Sequence, residues 1–136
     1  MIETDKRTII EELSKDLKLT PPDWAGYVKT GHGKQRTPVR QDWWQVRAAS
    51  LLLKIKDLGP IGTNKLSVKY GTRKNRGMMP EKFTRGSRNL IRKILQQLES
   101  QELIEQATIG VHKGRILTKK GNKLVNEASK KVAKKK

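Results

Sequence analysis

The chain contains no cysteine and only two histidines, His32 and His112, which stand far apart. Without thiols there is no disulfide, no thiolate zinc site and no cysteine nucleophile, and two isolated imidazoles make no zinc knuckle. No metal or other cofactor is expected. Acidic residues are also scarce, 13 against 31 lysines and arginines. The nearest approach to a carboxylate cluster, Glu11, Glu12 and Asp16, has no histidine or glycine-rich turn beside it and reads as the solvated face of a helix. Neither a phosphate loop nor a serine in a nucleophile-elbow context occurs. An enzyme is therefore not expected. No apolar run approaches the roughly 18 residues of a spanning helix, and MIETDKRTIIEE lacks the basic and then apolar segments of a signal peptide. These absences point to a cytoplasmic protein that does not enter a membrane.

What the chain does have is positive charge, a formal +18 over 136 residues. Self-repulsion on that scale contributes nothing to folding and calls for a polyanionic partner, nucleic acid before anionic membrane. The length suits one domain over residues 1–136, monomeric when free, with a lysine-rich tail expected to fray from about residue 130.

The apolar pattern is mainly helical. Ile9, Ile10, Leu13 and Leu17 recur at helical spacing behind a cap at Thr4 or Asp5. A short turn follows PP at Asp23, with Trp24 and Tyr27 as its anchors. GHGKQRTPVRQ has no period and reads as a loop. In DWWQVRAASLLLKIKDLG, Trp44, Ala48, Leu51, Ile55 and Leu58 mark a core face and Gly59 a C-cap. GPIGTNKLSVKYG is a short helix capped by Thr63 or Asn64, with Leu66 and Tyr70 facing the core. From Arg85, RGSRNLIRKILQQLESQ places Leu90, Ile91, Ile94, Leu95 and Leu98 on one side. Apolar segments around Leu103–Ile104 and Ile116–Leu117 flank a glycine-containing tip, as in a β-hairpin. Thr118 caps a last helix with Leu124, Ala128 and Val132 along its edge. This is the order of a winged-helix domain, a helix-turn-helix plus a short β-hairpin, with additional N-terminal helices.

The candidate binding residues follow from the charge. Between the helices, YGTRKNRGMMPEKFTRGS combines Arg73, Lys74, Arg76, Lys82 and Arg85 with only Glu81 in opposition. Lys69 and Arg88 flank it, and Gly71, Gly77 and Gly86 offer backbone N–H groups to phosphate oxygens. Met78, Met79, Pro80 and Phe83 would pin the middle of this basic loop to the core. Arg85, Arg88 and Arg92 form a stripe on the following helix. Trp43, Arg47 and Lys54 share a second face of the WWQVRAAS helix. There Trp43 either packs under the N-terminal helices or stacks on a base, and Arg47 either lies on the Trp43 indole and binds phosphate or pairs with an internal acid. Lys113 and Arg115 make the hairpin a positive wing.

PPDWAGYVKT, DWWQVRAAS, KYGTRKNRGMMPEKFTRGS and GRILTKKG together resemble, in order and spacing, the archaeal and eukaryotic type of the nineteenth small-subunit ribosomal protein, the S-nineteen-e family, from about Pro21 to Leu124. The resemblance implies a winged-helix core in the head of the small subunit that binds rRNA and is needed for subunit assembly and rRNA maturation. Its partners would be rRNA, rRNA precursors and neighbouring small-subunit proteins. The RNA-facing role it implies falls on Trp43, Arg47, Arg73, Arg76, Arg85 and Gly86. Many members carry a further basic residue about six positions after the RAAS arginine, where this chain has Leu53 followed by Lys54. The rival reading is a dimeric DNA-binding winged-helix regulator, with Asn89, Gln96 and Gln97 poised for base edges.

Overall fold

A computed structural model describes residues 5–135. Helix α1 spans Lys6–Asp16, and the Asp5 carboxylate caps it by accepting the Arg7 N–H at 3.2 Å; Thr4, the other candidate cap, lies outside the described residues. Ile9, Leu13 and, just past the helix, Leu17 are buried. A 3-10 turn at Asp23–Gly26 sets the Trp24 ring edge-on to Trp44, with centroids 5.9 Å apart. Tyr27, expected beside it as an anchor, is 85% exposed, because the turn that buries Ala25 carries the next side chains outward.

Helix α2, Trp43–Leu58, is the central element and packs against α1 and three elements that follow it in the chain. Trp44, Ala48, Ala49, Leu51, Leu52 and Ile55 are buried, and the Trp44 indole N–H donates to the Gln97 side-chain oxygen at 2.8 Å. Removing an indole so placed would cost about 3–5 kcal/mol. Gly59 ends the helix at φ +72°, its N–H donating to the Ile55 carbonyl at 3.0 Å, while Leu58 turns partly to solvent. Helix α3, Thr63–Lys69, starts after an extended Gly62, so neither Thr63 nor Asn64 is the cap.

The segment expected as a basic loop is instead an antiparallel ribbon, β1 (Thr72–Arg76) and β2 (Met79–Thr84). It stands between α3 and α4 (Arg88–Ser100), where a helix-turn-helix has only a turn. Ser87 caps α4 by accepting the Leu90 N–H, so Arg85 lies before the helix and the expected Arg85, Arg88, Arg92 stripe begins at Arg88. The second hairpin, β3 (Ile104–Ile109) and β4 (His112–Leu117), is the wing, with Ile104 opposite Leu117 on its buried end.

Thr118 accepts the Gly121 N–H at 3.2 Å at the start of α5, Lys119–Lys135. The helix continues past residue 130 to Lys135. Val125, Ala128 and Val132 bury against the body, with Leu124 only half-covered, and Lys131 and Lys135 bond Asp16 and Glu12 of α1 at 3.1 and 2.6 Å. The molecule is thus mainly α, with a winged-helix core wrapped by α1 and α5. No helix among the described residues is long and apolar enough to cross a membrane.

Candidate nucleic-acid interface

Spacing along α2 puts Arg47, Ser50 and Lys54 on one face, and Tyr70, at the end of α3, lies across them. The Arg47 guanidinium carbon is 4.4 Å from the Tyr70 ring centroid and the Lys54 ammonium 5.3 Å, while the Tyr70 hydroxyl bonds Ser50 at 2.5 Å. Arg47 therefore takes neither partner expected for it, the Trp43 indole or an acid. Among the described residues no carboxylate lies within ion-pair distance of it. Burial lowers the Arg47 pKa, with the Tyr70 oxygen opposing, and burial raises that of Tyr70. An arginine in a protein keeps its proton at neutral pH, and a phenol pushed upward by burial stays neutral there, so the pair is a cation on an uncharged ring. The ring face holds the guanidinium in place by a cation–π contact worth about 0.5–2 kcal/mol, and its charge has no counter-ion among the described residues. Leu53 packs toward the core and Lys54 continues the basic face. Trp43 is half-buried, edge-on to Trp44 at 5.5 Å, and its remaining surface lines a groove with Arg47.

The ribbon places Lys74 directly opposite Lys82. Like charges at facing positions destabilise a strand pair. Among the described residues Lys74 reaches only the His32 ring, at 3.0 Å, and Arg73 only Glu81, at 3.8 Å with both side chains largely exposed, a pair of little energetic weight. The glycines, however, do not offer N–H groups to an anion. Those of Gly71, Gly77 and Gly86 donate to the Val68 carbonyl, the Asn75 side chain and the Ser67 carbonyl at 3.1, 2.9 and 2.9 Å. Gly71 and Gly86 instead permit close packing. A Cβ at Gly71 would collide with the Phe83 ring, and one at Gly86 would lie 3.2 Å from Tyr70. Nor do the apolar residues pin the ribbon to the core: Met78 is fully exposed, and Met79 and Phe83 are more than half exposed.

The aperiodic segment between residues 28 and 42 supplies what the sequence reading missed. Gly31 bridges Gly86, the Ser87 N–H donates to the Thr30 carbonyl at 3.2 Å, and Gly33 lies against the Thr72 and Thr84 hydroxyls at the base of the ribbon. Folded this way, the segment carries Lys34 and Arg36 along a groove of about 500 Å³ that also contains Trp43 and Arg47. It also sets Lys29 and His32 beside Arg85 and Gly86. Arg40 is committed to Asp42 at 2.5 Å. The available signal was the run from Gly31 to Gln41, with three cations and no acid.

Other candidates lie apart. Arg115 is held by Glu99 at 2.6 Å, with side chains 17% and 28% exposed, so its charge is neutralised internally and does not contribute to a positive wing. Lys113 is exposed opposite Thr108. Lys69 lines a small apolar groove with His112. Arg88 reaches Asn64 on α3 at 3.4 Å, and Arg92 is exposed one turn further along α4. Gln97 cannot read base edges, since it accepts from Trp44 and donates to the Thr20 carbonyl at 2.8 Å.

The chain is similar to known proteins along nearly its whole length. The pattern described as Ribosomal protein S19e matches residues 3–135. A small ribosomal subunit protein eS19 of Aeropyrum pernix is 36% identical over 137 residues, covering 96% of this chain and 88% of its own length. Proteins of the same name from Thermoplasma acidophilum and Haloarcula marismortui are 36% and 37% identical, covering 93% and 89% of this chain and 81% and 80% of theirs. The chain belongs to the Ribosomal protein S19e family, and is thereby a structural, non-catalytic protein of the small ribosomal subunit.

Proposed function

We propose that the protein binds folded small-subunit rRNA by charge and shape, through one surface built from the Arg47–Tyr70–Lys54 face, the β1–β2 ribbon and the 28–42 segment. Its cations are Lys29, Lys34, Arg36, Arg47, Lys54, Arg73, Lys74, Arg76, Lys82 and Arg85, with Arg88 and Arg92 extending it along α4. Lys69 and Lys113 form a separate, weaker flank, and Trp43 offers the exposed part of its ring for stacking. The observation that carries this reading is Arg47, a half-buried guanidinium oriented by Tyr70 with no carboxylate of the described residues within ion-pair distance. A phosphate supplies the missing charge and takes two parallel N–H bonds from the guanidinium.

By neutralising converging phosphates, the surface holds RNA segments together that repel one another when bare. That is a role in subunit assembly and rRNA maturation as well as in the finished particle. The protein is monomeric before it binds and works in the cytoplasm on rRNA and its precursors, beside neighbouring small-subunit proteins.

Binding to a transcript of the small-subunit rRNA across a salt series tests this. The logarithm of affinity should fall by about 0.7–0.9 per phosphate contact for each log unit of salt. Arg47→Ala should cost about 1–3 kcal/mol of binding with the fold intact. Unchanged affinity would remove Arg47 from the interface. Sedimentation of a tagged copy should place it with small subunits and their precursors.

A further inference from the structure

The tip of the β1–β2 ribbon exposes apolar surface where a cationic ribbon would ordinarily carry polar residues. Met78 is fully exposed and Met79 largely so. Single exposed apolar residues need no explanation, but these two are held outward by dedicated polar contacts. The Arg76 side chain donates to the Pro80 carbonyl at 2.9 Å, and Asn75 accepts the Gly77 N–H at 2.9 Å. Gly77 sits at φ +72° in the two-residue turn between Arg76 and Met79. Pro80, beside the register shift, has no N–H to offer a further strand. The tip is thus shaped before it meets any partner, which reduces the ordering cost of binding.

Behind the tip, Arg73, Lys74 and Lys82 are arrayed along both strands, Lys74 facing Lys82. A partner must therefore present an apolar slot within an anionic frame. Nucleobases between phosphates have this chemistry: a thioether packs favourably on an aromatic ring, and side chains such as methionine and proline enter between base steps in proteins that open a stack.

We propose that Met78 and Met79 form an apolar wedge that enters the rRNA and packs against unstacked bases, while Lys74 and Lys82 hold the flanking phosphates. This rests on the RNA-binding reading above but names a separate contact. Charge arrayed along the ribbon favours RNA over a pocket on a neighbouring protein, where a few acids at one rim would suffice.

The test uses the full chain and a transcript of the complete small-subunit rRNA, with three forms: unsubstituted, M78S/M79S, and K74A/K82A. Both methionines are exposed, so M78S/M79S should keep the unsubstituted urea midpoint; a shifted midpoint would overturn the wedge by showing that the pair serves the fold. M78S/M79S should bind about tenfold more weakly, the size of one lost base–side-chain stack, with the salt slope unchanged. K74A/K82A should instead lower that slope by about 1.4. Chemical probing should find a short run of bases made reactive by the unsubstituted protein and protected again with M78S/M79S. A variant matching the unsubstituted protein in affinity and footprint overturns the wedge and leaves RNA binding standing, an outcome that includes a tip docked on a neighbouring protein. Failure of the unsubstituted protein to bind overturns both.

Discussion

The two β-hairpins have opposite attachments. The wing, β3–β4, is built into the body. Leu103, Ile104 and Leu117 are buried, Arg115 is clasped by Glu99, and the backbone of Arg115 exchanges hydrogen bonds with Ile61 at 3.0 and 3.4 Å. The ribbon, β1–β2, buries almost nothing, faces two lysines against each other and displays two methionines. In the first, sequence is used for packing and charge is neutralised within the fold; in the second, stability is sacrificed to display cations. A basic residue in a hairpin thus says little about binding until its internal partners are known.

This contrast can be broken or sharpened by substitution. The largest effect should come from Gly114→Val in the wing, where a Cβ would lie 2.5 Å from the Ile61 nitrogen, with no flexible side chain to yield. A loss of about 3 kcal/mol is expected in urea unfolding. A side chain at Gly77 in the ribbon meets open space and only the positive φ, so Gly77→Ala should cost about 1 kcal/mol.

Arg115→Ala removes one half of a mostly buried ion pair and should lower stability by about 1–2 kcal/mol, leaving RNA affinity unchanged. An affinity loss without destabilisation would return Arg115 to the interface. In K74A/K82A the sign reverses, because relief of a facing like-charge pair should raise stability by about 0.2–1 kcal/mol while RNA affinity falls.

The smallest effect lies outside both hairpins. Bonds from Lys135 first and Lys15 second hold the Glu12 pKa below its ordinary 4.5. A carboxylate with a depressed folded pKa stabilises above its unfolded pKa, and that contribution disappears as pH falls through the folded value. The protection factors of α1 amides, taken relative to the intrinsic exchange rate at each pH, should therefore fall slightly as pH drops below 4.5, and Glu12→Gln should flatten the change.

Elements that bury one face were legible in the sequence: α1, α2, α4 and the wing all show their period in Ile9/Leu13, Trp44/Ala48/Leu51, Leu90/Ile94/Leu98 and Ile104/Leu117. The ribbon was not, because TRKNR and MPEKFT are exposed on both faces and no alternation marks them. The anchoring of the last turns of α5 was hidden for a different reason. Its lysines find Glu12 and Asp16, more than 100 residues away in sequence. The proposed interface divides similarly. Composition identified the cations of residues 69–92, whereas Lys34 and Arg36 join them only because Gly31 and Gly33 fit against Gly86 and the ribbon's threonines.

All three tryptophans of the chain lie in one chain of edge-on contacts, Trp24 on Trp44 and Trp44 on Trp43. Indoles that close couple optically, so the near-ultraviolet dichroism and the emission of the native protein report on one neighbourhood. Trp44, sealed from water, should give a blue-shifted band that reddens on denaturation, whereas Trp43, at the groove wall, is open to quenching by an occupant. The unlabelled protein therefore carries its own sensor, one coupled signal that responds both to the integrity of the core and to occupation of the groove.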